Sequence, residues 1–174
     1  MKLINATSSD GPVIPSRLKG RIDIKTTIRL LPAEIQALHD ALFALDIALS
    51  HDNSLNPNDC ISVILFNDDV VSLEFEDLKI LGAHVNLVFL PVHRWRMRSL
   101  NIVQMTVCTL EEFCHHFWDI RDEHLVEDKV FELLQYLYPN APKSVFYNPN
   151  WRQSVRPLCV VLSLLRPPMR RGCR

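Results

Sequence analysis

The sequence predicts an α+β domain with a small, mostly antiparallel sheet packed against helices. Three features predict it. Ile35, Leu38, Leu42, Leu45 and Leu49 step by three and four, the period of a helix with one buried face. Leu110, Phe113, Cys114, Phe117 and Trp118 repeat the same step and mark a second helix. Between and around these lie four short runs, at residues 60–66, 71–75, 83–92 and 101–107, that are continuously apolar or alternate like strands.

Taken in order, residues 1–20 mix Ser, Asn, Asp, Gly and Pro without periodicity and read as a flexible N-terminal segment. Ile22, Ile24 and Ile28 suggest a strand within 21–30. Pro32 suits the first turn of the helix that follows, on which His39, like His51 at its far end, reads as a solvent-facing or boundary residue. After a turn-dense stretch, 60–66 is a buried strand and 67–69 a tight connection. Val71, Leu73 and Phe75 then alternate as a half-buried strand. Residues 83–92 form the next strand, with Pro91 near its end or on an edge. Residues 93–98 read as a loop and 101–107 as a fourth strand. Thr109 is placed to cap the 110–119 helix, with Glu112 completing a capping box. A further helix spans 124–138 on Val126, Val130, Leu133, Leu134 and Leu137, stopped by Pro139 and Asn140. Residues 158–165 read as a final strand or short buried helix, closing a single domain over 21–165. Residues 166–174 form a basic C-terminal tail.

The bulk numbers exclude several classes. A formal net charge of −1 argues against a chain that coats nucleic acid, though not against a local basic patch. The first twenty residues hold no apolar run, so no secretory signal is expected. No stretch is long and apolar enough to span a membrane. Five cysteines without a CxxC pair point to a reducing, cytoplasmic setting and away from a cysteine zinc site.

The densest chemistry lies at 111–124. At helical spacing Glu111 and His115 share one flank of the apolar stripe, and Glu112, His116 and Asp119 share the other. Glu111-Glu112-Phe113-Cys114-His115 resembles the His-Glu-x-x-His helix of zincin metallopeptidases, with Glu111 where the first histidine would stand. That resemblance implies a degenerate, gluzincin-type domain. Its metal, one zinc or another divalent ion, would be held by Glu111, His115 and Glu123, and Glu112 would be the catalytic general base. A carboxylate in place of an imidazole makes the site more acidic, so weak or lost peptidase activity and a role as a protein-interaction module are expected. An active metal-dependent hydrolase is the alternative.

Other readings compete at the same residues. Glu112-x-x-His115 also matches one half of a di-iron carboxylate site, but only one such pair is present. Cys114 lies on the apolar stripe, which favours an inert buried thiol over a nucleophile. Elsewhere, Arg94, Trp95, Arg96 and Arg98 form a basic, aromatic cluster suited to gripping nucleic-acid phosphates or stacking on a base. The simpler expectation is that the arginines are solvated and Trp95 packs back onto the sheet.

Overall fold

A twenty-residue helix between two strands decides the direction of the sheet. The structure, a computed structural model, describes Ala6 and residues 11–51, 60–67 and 86–148, with the backbone pairing of 2–3 and 73–74. Its elements are β1 (Lys2–Leu3), β2 (Ile22–Thr26), α1 (Pro32–His51), β3 (Ile61–Phe66), β4 (Leu73–Glu74), β5 (Leu87–Pro91), α2 (Val92–Met97), α3 (Ile102–Phe117), α4 (Glu123–Leu134) and α5 (Lys143–Phe146). At 1.5 Å per residue α1 is about 30 Å long, enough to carry the chain back past the whole of β2. The next strand therefore starts level with β2 and runs parallel to it, with Ile22 opposite Ile61 and Thr26 opposite Leu65. β5 joins the other side of β3, also parallel, with Val63 opposite Val88. The sheet order is β2-β3-β5.

This corrects the expectation of a mostly antiparallel sheet. The fold remains α+β, but its three-stranded sheet is wholly parallel; among the described residues antiparallel pairing is confined to the two-residue β1–β4 ladder. β3 has the composition of a central parallel strand, which must be apolar on both sides: Val63, Ile64 and Leu65 are all fully buried.

One face of the sheet, from Ile22, Ile61, Val63, Leu65, Val88 and Leu90, enters a core completed by Leu38, Leu42 and Leu45 of α1 and Leu110, Phe113 and Phe117 of α3. α4 adds Val126, Val130, Leu133 and Leu134 to the same core. His39 and His51 are exposed, as their positions on α1 suggest.

Two further expectations change. Residues 101–107 are not a strand: α3 begins at Ile102, with Asn101 as its N-cap. The Asn101 side chain accepts from the Gln104 amide at 2.9 Å, and the Gln104 side chain accepts from the Asn101 amide at 2.9 Å, a reciprocal capping box. Thr109 is consequently helix interior, not a cap; its hydroxyl donates to the Met105 carbonyl at 2.9 Å. Residues 93–98 are not a loop either, since most of them form α2. α4 starts one residue earlier than its pattern implied, because Asp122 Oδ1 accepts from the His124 and Leu125 amides. The expected element at 158–165, the tail at 166–174 and most of 67–75 lie outside the described residues. Among the described residues no helix is long and apolar enough to cross a membrane.

Candidate functional site

The end of α3 and the start of α4 bring part of the expected constellation together. His115 sits in the last turn of α3 with its side chain 13% exposed. Its Nδ1 lies 2.7 Å from the Ile120 carbonyl oxygen, and a carbonyl can only accept, so Nδ1 carries the hydrogen. Nε2 then faces Glu123, whose Oε1 is 3.7 Å away. The turn between the helices makes this possible: Trp118 closes α3, Asp119 takes the left-handed conformation (φ 47°), and Asp122 caps α4. His115 and Glu123 thus meet as a pair.

Glu111 is close to the buried Tyr147, just beyond α5; burial first, and then this carboxylate, push the tyrosine's ionisation far above its usual range. Among the described residues no three His, Cys, Asp or Glu side chains converge as metal ligands. Glu112, expected as the general base, is half-buried on the neighbouring flank. Its charge and that of Glu111 add to burial in raising the Cys108 thiol. Cys114 is fully buried and likewise raised, chiefly by burial, so both thiols are neutral and poor nucleophiles near pH 7.

Two members of the arginine cluster, Trp95 and Arg96, are built into the scaffold. Trp95 is 2% exposed and packs into the core, so its ring presents no face to a base. Arg96 reaches across to the first turn of α1. Its Nε and Nη2 donate to the two carboxylate oxygens of Glu34 at 2.6 and 2.8 Å, and Nη2 also donates to the Arg29 carbonyl at 2.8 Å. Glu34 is buried and accepts a third bond, from the Leu31 amide at 2.7 Å. Arg94 is half-buried and Arg98 exposed. Sequence reasoning missed Glu34 and Tyr147. An acidic residue in the first turn after Pro32 was a visible capping signal for Glu34; Tyr147 lies in a turn-rich stretch that gives no signal.

An open cleft of about 380 Å³ lies at the amino ends of the strands, lined by Arg21, Asp23, Cys60, Ser62 and Asn86 among others. Ligands in parallel sheets favour the opposite, carboxyl end, where strand order reverses. Here the order β2-β3-β5 follows the chain without reversal, so among the described residues this sheet has no such crevice.

The outer side of α4 is different in character. Leu125 is 58% exposed, Tyr136 just past the helix 37%, and Val145 on neighbouring α5 61%. Leu125, Lys129, Glu132 and Tyr136 follow helical steps of four, three and four along one face. α5 is tied beside it by the Lys143–Asp128 ion pair and by Phe146 against Phe131, ring centroids 6.2 Å apart. Residues 111–134 hold eight Asp or Glu against Arg121 and Lys129, a net −6 in a chain of net −1. Lys129 is already engaged, with Glu132 at 2.9 Å and over the Trp118 ring at 4.7 Å.

Compared with models of known families, with curated proteins and with solved structures, the chain matches none.

Proposed function

We propose that this chain is a non-catalytic protein-binding domain, and that the outer face of α4 and α5 receives a basic segment bearing apolar residues. The observation that carries the reading is the exposure of Leu125, Tyr136 and Val145 on and beside a helix that also bears the exposed carboxylates Asp128 and Glu132. Apolar anchors supply affinity in such a contact, and the surrounding carboxylates supply selection and rate. The zincin-like helix serves as scaffold in this reading: His115 and Glu123 clasp the α3–α4 turn, and Glu111 is directed to Tyr147. The test is fluorescence anisotropy with a labelled peptide of alternating Arg and Leu clusters. Binding should weaken at least tenfold in Leu125→Asp and Glu132→Lys, and fall as salt rises. Affinity unchanged by either substitution would overturn the reading.

A metal-dependent hydrolase acting through Glu112 is the competing reading, and its foothold is the His115–Glu123 pair. Zinc calorimetry separates the two. The binding-domain reading expects no stoichiometric uptake; micromolar binding lost in His115→Ala would favour the hydrolase.

A further inference from the structure

We propose that the basic, apolar segment received by the α4–α5 face is carried by this same chain, in residues 149–174. The inference rests on the binding reading above and names its ligand. Three observations lead to it. Residues 149–174 contain six arginines and no acidic residue, a net +6 that balances the −6 of residues 111–134. Within them, residues 158–165 read Leu-Cys-Val-Val-Leu-Ser-Leu-Leu, an apolar run suited to covering Leu125, Tyr136 and Val145, with arginines on both sides to meet Asp128 and Glu132. The third is position. The described chain reaches Asn148 just after α5, where Phe146 packs on Phe131 and Lys143 pairs with Asp128. The segment therefore begins beside the face it would cover, and a short tether raises the effective concentration to roughly millimolar. An external partner would have to displace this segment, which makes the domain self-masking.

The test uses the full chain carrying Cys60→Ser, which removes the exposed thiol of the described residues; Cys108 and Cys114 are buried. Glu132→Cys is added on the α4 face, and in a control Met97→Cys is added on α2, where Met97 is 80% exposed. Under mild oxidation a disulfide joining position 132 to Cys159 or Cys173 should form at least tenfold faster than one at position 97. Its rate should be independent of protein concentration and slowed several-fold by 0.5 M salt (about a 4 Å Debye length). Equal rates at the two positions, or insensitivity to salt, would overturn the inference. Disulfide-linked dimers whose yield rises with concentration would also overturn it, by assigning the face to a second copy. The added Arg/Leu peptide keeps the two readings apart. If it binds while position 132 fails to cross-link, self-masking falls and the binding face stands; if neither occurs, both fall.

Discussion

Arg96→Ala should cost the fold about 3 kcal/mol, far more than its sequence context would suggest. Arg96 donates two of the three hydrogen bonds that Glu34 accepts, at 2.6 and 2.8 Å, and a third bond of its own reaches the Arg29 carbonyl at 2.8 Å. Hydrogen bonds to charged groups contribute about 1.5–3 kcal/mol each. Removing one partner of a buried pair costs roughly 3–5 kcal/mol, because the remaining charge is stranded. The Glu34 side chain is 3% exposed but that of Arg96 is 32%, so water can enter where the guanidinium was, and the low end of that range applies. Arg96→Lys should recover about half, since an ammonium cannot make the two-pronged contact. Glu34→Gln combined with Arg96→Ala should be less damaging than the sum of the single changes by about 2 kcal/mol. Urea denaturation followed by circular dichroism at 222 nm reads these values, with an unchanged slope confirming a pure stability effect. A loss below about 1 kcal/mol for Arg96→Ala, the level of an exposed pair, would refute the reasoning and return Arg96 to the surface as a ligand-binding candidate.

Other consequences can be checked alongside. Asn101→Ala should cost about 1 kcal/mol in the same assay and Asn101→Gly only a few tenths, because Asn101 caps α3 through the Gln104 amide. Phe113→Ala should cost about 3–5 kcal/mol, the ring being 1% exposed in the core between sheet and helices. Leu125→Ala should leave stability within about 0.5 kcal/mol, since Leu125 is largely in solvent, while weakening peptide binding. Stability should also fall at alkaline pH. The Cys108 and Cys114 thiols are raised above an ordinary value near 9, so above pH 9 the unfolded chain loses protons that the folded chain keeps. Each thiol then removes about 1.4 kcal/mol per pH unit, with no effect below pH 8. Tyr147, raised from near 10, joins above pH 10. Urea midpoints that stay level from pH 8 to 10 would contradict this, and Cys108→Ala with Cys114→Ala should flatten the early part of the decline.

Periodicity made α1 legible, and the uninterrupted Ile61–Phe66 run made β3 legible. Strand direction was harder, because a run of apolar residues carries no arrow. The cue lay in the connection: a helix as long as α1 between two strands returns the chain to its starting end. The amino-terminal half of α3 was hidden by Ile102, Val103, Thr106 and Val107, whose β-branched side chains favour strands when taken locally. Burial overrides that preference here, and the hydroxyl of Thr106 is satisfied by the Ile102 carbonyl at 2.9 Å. Within the candidate site, the His115–Glu123 proximity followed from a helix, a short turn and a cap, all written nearby. The partners of Glu111 and Arg96 lie far along the chain, at Tyr147 and Glu34, and spacing rules do not reach that distance.

The central place of β3 has a consequence during synthesis. Ile-Ser-Val-Ile-Leu-Phe is uncharged, rich in β-formers and free of Pro and Gly, the kind of window that pairs with copies of itself when bare. β2 and α1 precede it and can cover it at once, but its other neighbour, β5, is made 25 residues later. At translation rates of roughly 5–20 residues per second, that edge of the nascent strand waits about 1–5 seconds for its partner. A ribosome stalled after β3 has left its exit tunnel but before β5 has followed would therefore display an unpaired, adhesive edge, and yield in a cell should depend on how quickly translation crosses that interval.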